Sequence, residues 1–313
     1  MSLMIILQQM GVICILVAIG IFLQKRGVID SLTSKKLSAI VVDVCNPAMI
    51  LASILSGNIT AGHADLINAI ILGAAFYTLL VIIGFIMPHI LRVDRDKRKF
   101  YNLMCVYTNT GFLGIPVAKA ILPANAIIYV IVINVFYSLF FYTHGLTILG
   151  NGPEDEGKKK ENPLRHILNP GTVMAVLALV VFWFNLELPP ILENTVEYVG
   201  NATVFLSMVL LGVSIARSKL LRSIKDARIW IFIVLRLIIL PVIIILVMHA
   251  LSFDKTAILG VALMAAVPVG NLPMIQAEKK GMDTTILSTA VAITTTVSIV
   301  TVTALIAAAT ALL

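Results

Sequence analysis

Two short segments combine proline, glycine and asparagine inside long apolar runs, and both could bind a small anion. The first is Thr108-Asn-Thr-Gly-Phe-Leu-Gly-Ile-Pro116 and the second is Val267-Pro-Val-Gly-Asn-Leu-Pro273. Proline lacks a backbone N–H and clashes with the preceding turn, so a helix opens at such a point. In hydrocarbon, the freed backbone groups are tolerated only where they are buried in protein or line a wet cavity. The pair therefore predicts a polar site inside an apolar protein.

The chemistry of these segments suits a carboxylate. A helix amino end offers free N–H groups and about half a positive charge, while glycines let a ligand approach bare backbone. Asparagine amides can donate or accept as required. We predict an organic-anion site formed by residues of both segments and by two asparagines on other helices: Asn109, Thr110, Gly111, Gly114, Pro116, Pro268, Gly270, Asn271, Pro273, Asn46 and Asn201. The alternative is that these prolines and glycines only kink helices for packing, since both are common in membrane helices.

Few charges fall within apolar runs, where each costs about 2.5–3.5 kcal/mol on insertion scales. Asp43 lies about 10 Å beyond Lys36 along a helix, so it is the candidate for proton or cation coupling. It could instead pair with Arg217 near the cytoplasmic face. Arg236 could bind the anion or pair with Asp43, but its long stem favours extension to the interface. Lys119 could extend outward or help to capture anions.

Composition places these residues in an integral membrane protein. The chain has 313 residues, of which 59% are apolar and 12% charged, whereas soluble domains carry about 25% charged residues. Runs long enough to cross about 30 Å of hydrocarbon predict ten spans, near 3–23, 37–56, 65–87, 101–121, 124–149, 167–185, 196–216, 228–251, 256–277 and 284–311. The remaining loops are too short for a catalytic or nucleotide-binding domain, and no enzyme, cofactor or metal site is predicted.

The basic residues are distributed by loop in a way that excludes nucleic acid as the explanation of the net charge of +7. Of 23 Lys and Arg residues, 20 fall in the loops 24–36, 92–99, 158–165, 217–228 and 279–280. Positive loops mark the cytoplasmic side of a membrane. We therefore expect a multi-pass protein of the cell membrane, surrounded by lipid, with both termini outside.

The two halves of the chain show weak internal similarity. Val44–Gly57 aligns with Val199–Gly212, placing Asn46 over Asn201, and Pro116 aligns with Pro273 at nearly the same offset. We predict a first five-helix repeat over 1–149, a cytoplasmic linker over 150–166 and a second, inverted repeat over 167–313. Inverted repeats of this kind underlie alternating-access carriers, although helical proteins often show weak self-similarity without one.

Three of these motifs resemble the auxin efflux carrier family. They are Asn46-Pro-Ala, Asn109-Thr-Gly-Phe-Leu-Gly-Ile-Pro116 and Pro268-Val-Gly-Asn271. The family includes plant auxin exporters and bacterial carriers of malonate and malate, and the short loops here resemble a prokaryotic-type member. The resemblance implies a ten-helix fold like that of bile-acid symporters and antiporters. In that fold, helices 1, 2, 6 and 7 form a scaffold, helices 3–5 and 8–10 move, and broken helices 4 and 9 cross at mid-membrane. It also implies a homodimer formed through the scaffold.

The predicted function is secondary transport of small organic anions, such as dicarboxylic or auxin-like acids, by alternating access at the helix 4/9 crossover. The alternative is a sodium-coupled symporter of the bile-acid type. Sodium requires a cage of oxygen ligands, and this chain has few carboxylates within its spans to supply one.

Overall fold

The computed structural model describes residues 3–55, 62–150, 168, 170–217 and 227–313, and it is helical. In the first half the helices are α1 (Leu3–Lys25), α2 (Ser31–Ile40, Val41–Cys45 and Asn46–Leu55 in succession), α3 (His63–Ile90), α4a (Arg98–Val106), α4b (Ile115–Ile121) and α5 (Ile127–Phe140, Phe141–Gly145 and Leu146–Leu149). In the second half they are α6 (Pro170–Phe184), α7 (Pro190–Arg217), α8 (Ala227–Ile233, Val234–Ile239 and Leu240–Ala250), α9a (Lys255–Ala266), α9b (Asn271–Lys279) and α10 (Thr285–Leu312). The fold is therefore all-helical where it is described.

Six helices of the described residues are long and apolar enough to cross a membrane, judged by length and composition. They are Leu32–Leu55, His63–Ile90, Ala124–Leu149, Pro190–Arg217, Ala227–Ala250 and Thr285–Leu312. Three shorter apolar helices accompany them: Gly11–Lys25, Pro170–Phe184 and Lys255–Ala266. The predicted class, an all-helical membrane protein, is confirmed at this level.

Two helix boundaries differ from the predicted spans because of local chemistry. Helix α2 begins at Ser31 rather than at 37, since the carboxylate of Asp30 accepts a hydrogen bond from the backbone N–H of Thr33 at 2.7 Å and caps the first turn. Helix α7 begins at Pro190 rather than at 196, because proline fits the first helical turn, where its missing N–H is not needed. The predicted linker 150–166 lies outside the described residues apart from Gly150.

Wider π-type turns interrupt several helices at polar positions. One in α2 contains Asp43, one in α5 contains His144, one precedes α4b at Thr110–Gly114, and one in α8 contains Arg236. A π turn inserts one residue into the α-helical register and often occurs at a functional site. These turns set the face on which each polar side chain emerges.

Several pairs of helices pack closely, and α1 with α7 is the closest example. Helix α1 lies along α7, and a β carbon added at Gly20 would lie 2.1 Å from the carbonyl oxygen of Val209. A β carbon at Gly212 would lie 2.0 Å from the carbonyl oxygen of Val17. Small residues at such positions let membrane helices approach closely. Helix α2 packs on both α6 and α7, whereas α3 packs on α5 and α4a, and α9a packs on α5, α8 and α10.

Candidate functional site

The two interrupted helices meet at their interruptions. Thr108 and Val269 form an isolated antiparallel bridge between the break that follows α4a and the break that follows α9a. The backbone N–H of Asn109 donates to the carbonyl of Pro268 at 2.7 Å. The backbones of the two predicted segments are thereby held together in the interior, where Thr108 and Asn109 are both buried.

Glycine is required on the second side of this bridge. The backbone N–H of Gly270 donates to the carbonyl of Tyr107 at 2.9 Å. A β carbon at Gly270 would lie 2.8 Å from the carbonyl oxygen of Thr108, closer than real β carbons approach such an atom. The backbone cannot move away without losing the bridge, so this position needs the bare backbone that only glycine offers.

The prolines lie differently from the prediction that each one opens its helix. Pro116 occupies the first turn of α4b and Pro273 is the third residue of α9b, so both begin a second half-helix. Proline is tolerated there because the first N–H groups of a helix have no intrahelical partner. Only Pro268 lies within an interruption itself. The breaks are therefore stabilised from both sides, by their bridge and by proline-initiated restarts.

Neutral polar groups lie at the amino ends of the restarted helices. A β carbon at Gly111 would lie 3.3 Å from Nδ2 of Asn46, so α2 presents its amide to the turn that leads into α4b. The hydroxyl of Thr110 donates to Oδ1 of Asn134 in α5 at 2.9 Å. Asn271 begins α9b directly after the bridge. Among the described residues, no hydrogen-bond partner contacts Oδ1 of either Asn46 or Asn271, although both atoms are buried.

Gly114 fills a different role from Gly111. A β carbon there would lie 2.9 Å from the sulfur of Met264, near the end of α9a. Its backbone N–H donates to the carbonyl of Asn109 at 2.9 Å and closes the π turn. Gly114 therefore brings α4b close to α9a rather than exposing backbone to a ligand.

Asn201 lies in a cavity of about 280 Å³ with Lys119. The ammonium group of Lys119 donates to Oδ1 of Asn201 at 3.1 Å. The cavity lies between α2, the end of α4b and α7, and its other lining residues include Ser53, Glu193 and Glu197. The structure thus brings Asn46 to the turn before α4b but places Asn201 toward the far end of that helix.

The two charged residues that the sequence places within apolar runs differ in their burial. Asp43 is exposed in the π turn of α2. Its proposed partner Arg217 donates instead to Oε1 of Gln24 at 2.8 Å and to the carbonyl of Ile29 at 3.3 Å. Arg236 has an exposed fraction of 0%. The prediction that Arg236 extends to the membrane interface is wrong, because it finds hydrogen-bond partners inside the protein.

Those partners are backbone carbonyls at the ends of the first half-helices. The Nε–H of Arg236 donates to the carbonyl of Cys105 at 2.7 Å, and Nη1 donates to the carbonyl of Ala265 at 2.6 Å. Each carbonyl belongs to the penultimate residue of its half-helix, α4a or α9a. The last carbonyls of a helix lack intrahelical partners, and Arg236 supplies one to each of the two interrupted helices.

Sequence reasoning missed two residues that accept hydrogen bonds from groups in or next to the bridge. Asn134 accepts from Thr110, as described above, and the hydroxyl oxygen of Thr294 in α10 accepts from the backbone N–H of Val269 at 3.2 Å. The same hydroxyl donates to the carbonyl of Ala290 at 2.6 Å. A lone asparagine in the apolar run of α5 was the signal for the first; the hydroxyl-rich α10 gave no signal for choosing Thr294 among its neighbours.

A polar meeting point of two interrupted helices inside an all-helical membrane protein is typical of secondary transporters. This chain belongs to the membrane transport protein family, whose sequence model matches residues 5–306. That is the auxin efflux carrier-like family which the three motifs indicated. Membrane transport, rather than catalysis, is therefore its function at the level of the family.

Archaeal proteins resemble the chain over most of its length. A protein of Methanothermobacter thermautotrophicus named an uncharacterized transporter is 25% identical over 290 residues, covering 92% of this chain and 93% of the relative. A second uncharacterized transporter, from Methanocaldococcus jannaschii, is 24% identical over 215 residues, covering 66% of this chain and 67% of the relative. Neither name assigns a substrate.

Proposed function

We propose that this protein is a secondary transporter of small organic anions, which it carries as carboxylates across the cell membrane. The observation that carries the proposal is the bridge between Thr108 and Val269. It joins two helix interruptions, so that the polar backbone of both lies at one place in an apolar interior. A solute that is to cross hydrocarbon needs such a place, since water cannot solvate it there.

The electrostatics of the amino ends favour a negative solute. Helix α9b begins next to the bridge, and the turn Thr110–Gly114 leads from it into α4b. Each amino end carries about half a positive charge, and the two together approach one unit. The side chains that the structure places there, Asn46, Thr110 and Asn271, are neutral and can donate or accept. One carboxylate would match both the charge and the donors.

The proposal includes the ten-span, inverted-repeat topology. In this topology the six long apolar helices, the three shorter ones and the interrupted α4 would each belong to one of ten spans. The antiparallel sense of the bridge agrees with two repeats that enter the membrane in opposite directions. Both termini would then lie outside, as the basic loops predict.

The packing supports the division into a scaffold and a moving domain. Helix α7 contacts both α1 and α2, and α2 also contacts α6, with the α1 and α7 backbones in direct contact at Gly20 and Gly212. Helices α3, α4 and α5 form a second group. Helix α9a packs on α5 of this group and also on α8 and α10. In the proposed mechanism the second group slides or rocks against the first and carries the site with it. Homodimerisation through the scaffold remains a prediction.

The Lys119 cavity is the proposed outer approach to the site. It lies between α2 and α7 of the scaffold and α4b and α5 of the moving group. The ammonium group of Lys119 would attract an anion, while Glu193 and Glu197 would limit how tightly the anion is held. Asn201 orients the ammonium group through their hydrogen bond. This gives Lys119 and Asn201 a role in capture rather than at the bridge.

Coupling is the point on which the alternative function differs. A sodium-coupled symporter would lose carboxylate uptake when sodium is replaced by choline. A proton-coupled carrier using Asp43 would lose its pH dependence in Asp43→Asn. An Asp43→Asn protein with the wild-type pH profile would exclude Asp43 from coupling and leave the exposed carboxylate as a surface charge.

The experiment that tests the proposal is counterflow in proteoliposomes. Vesicles loaded with unlabelled malonate, malate or indole-3-acetate should accumulate the labelled acid when wild-type protein is present. Gly111→Leu should abolish the accumulation, because its first side-chain carbon already lies 3.3 Å from Asn46. Gly11→Leu is the matched control, since a β carbon at Gly11 meets nothing within 4 Å. If the two variants accumulate the labelled acid equally well, the anion does not bind at the bridge.

A further inference from the structure

Arg236 is the most deeply buried charge in the described residues, and the transport cycle outlined above does not use it. Its side chain emerges from the π turn Val234–Ile239 in the middle of α8 and is completely excluded from solvent. A buried guanidinium needs strong compensation, because the charge has lost its hydration. The groups that accept hydrogen bonds from this guanidinium indicate the role of Arg236.

Among the described residues, the compensation comes from two helix carboxyl ends and not from a carboxylate. Nε and Nη1 donate to the penultimate carbonyls of α4a and α9a, at Cys105 and Ala265. A helix carboxyl end carries about half a negative charge. Two of them converging behind the bridge make about one negative charge, which a single guanidinium neutralises.

The geometry also explains why arginine occupies this position. Its planar fork presents several N–H donors in fixed directions, and two of them reach two different helices at 2.7 and 2.6 Å. The third nitrogen, Nη2, is buried with no hydrogen-bond partner among the described residues. A lysine ammonium is a point charge on a flexible stem, so it would neutralise the pair of ends but hold them together less well.

We propose that Arg236 is a permanent internal counter-ion of the interrupted helices. It neutralises and ties together the carboxyl ends of α4a and α9a through the carbonyl oxygens of Cys105 and Ala265. The interruption therefore forms, and carries its anion, without sodium. Arg236 is a positioning residue: it contacts the half-helices and not the transported solute. Only the statement about the anion rests on the proposed function.

The test compares purified wild-type protein with Arg236→Met and Arg236→Lys by thermal unfolding in choline, sodium and dilute guanidinium chloride. Methionine keeps the length of the side chain and removes the charge. We expect a wild-type midpoint that is the same in sodium and choline, a lower midpoint for Arg236→Met, and partial recovery of that variant in guanidinium or sodium. The unfolding midpoint of Arg236→Lys should lie between those of the wild-type protein and Arg236→Met. Arg228→Ala, on the exposed start of the same helix α8, should respond to none of the ions.

Transport supplies a second readout of the same idea. Carboxylate counterflow by wild-type protein should be equal in sodium and choline, while Arg236→Met should lose at least tenfold and regain several-fold with guanidinium. A sodium requirement in the wild-type protein overturns the inference, as does an Arg236→Met protein with wild-type stability and transport. If Arg236→Met cannot be purified from membranes, the inference is tested by the wild-type protein in sodium against choline and by the lower midpoint expected of Arg236→Lys. If no carboxylate moves in any salt, the proposed function fails, and the unfolding measurements still judge the counter-ion.

Discussion

The carboxyl ends and the amino ends of the interrupted helices are treated differently by the rest of the molecule. At the carboxyl ends of α4a and α9a, Arg236 supplies a fixed positive charge. At the amino ends of α4b and α9b, the structure places the neutral amides of Asn46 and Asn271. The protein therefore neutralises one pole of its broken helices by itself. The opposite pole keeps its positive character, which is what a site for an anion requires.

The largest effect is expected from removing the bridge that brings both poles together. Gly270→Ala places a β carbon 2.8 Å from the carbonyl oxygen of Thr108, and overpacking of this kind typically costs about 1–3 kcal/mol. Carboxylate counterflow should fall more than tenfold, since both interruptions must separate. Gly11→Ala, which meets nothing within 4 Å, serves as the control. Wild-type counterflow by Gly270→Ala would mean that the two interruptions need not touch.

The next effect concerns the amino ends alone. Asn46→Ala and Asn271→Ala should each weaken carboxylate binding by at least roughly tenfold, because one hydrogen bond to a charged group contributes about 1.5–3 kcal/mol. The loss should appear in the KM for counterflow, with the unfolding midpoint little changed. Ser298→Ala is a suitable control, since that hydroxyl donates to its own helix at Thr295. Unchanged KM values in both asparagine variants would place the anion elsewhere.

A smaller effect is expected at the outer cavity. Lys119→Gln should raise the KM about threefold at low salt and less at high salt, because long-range attraction of an anion is screened by ions. The maximal rate should not change if Lys119 acts only in capture. Lys255→Gln, at the start of α9a, should leave the KM as it is. A collapse of the maximal rate in Lys119→Gln would instead make the residue part of the moving site.

The smallest effect is expected at the start of α9a. Asp254 caps this helix by accepting from the backbone N–H of Thr256 at 2.8 Å, so Asp254→Ala should cost about 1 kcal/mol of stability. The hydrogen bond from the Thr256 side chain, with backbone hydrogen bonds, lowers the pKa of Asp254 below its usual 3.8. The carboxylate thus stabilises the fold above that pH and ceases to do so as the pH falls through the lowered value. The midpoint difference between wild type and Asp254→Ala should be full at pH 7 and shrink at acid pH. A difference that grows at acid pH would contradict the capping role.

Sequence reasoning located the helices and the interruptions well but not the partners of the deep charges. Apolar runs fix helix positions because about 20 residues must cross the hydrocarbon, and glycine near proline marks where a helix can open. Arg236 was misplaced because hydropathy does not tell which face of α8 it occupies. The π turn around it shifts the register, and its partners are carbonyls of residues 105 and 265, far away in the chain.

The prolines show the same limit on a smaller scale. Proline predicts that a helix cannot continue unchanged, but it fits both an interruption and the first turn of a new helix. Pro268 lies in an interruption, while Pro116 and Pro273 begin the helices that follow. Which of the two occurs depends on the tertiary bridge, and that bridge joins residues about half the chain apart.

The most direct measurement is the thermal shift of the purified protein with small carboxylic acids and, in parallel, with their uncharged primary amides. A ligand that binds only the folded state raises its stability, so at least one carboxylate should raise the unfolding midpoint. Its amide should not, sodium should make no difference, and Gly111→Leu should abolish the shift. An equal shift from acid and amide, or a full shift in Gly111→Leu, would contradict an anion site at the amino ends of the broken helices.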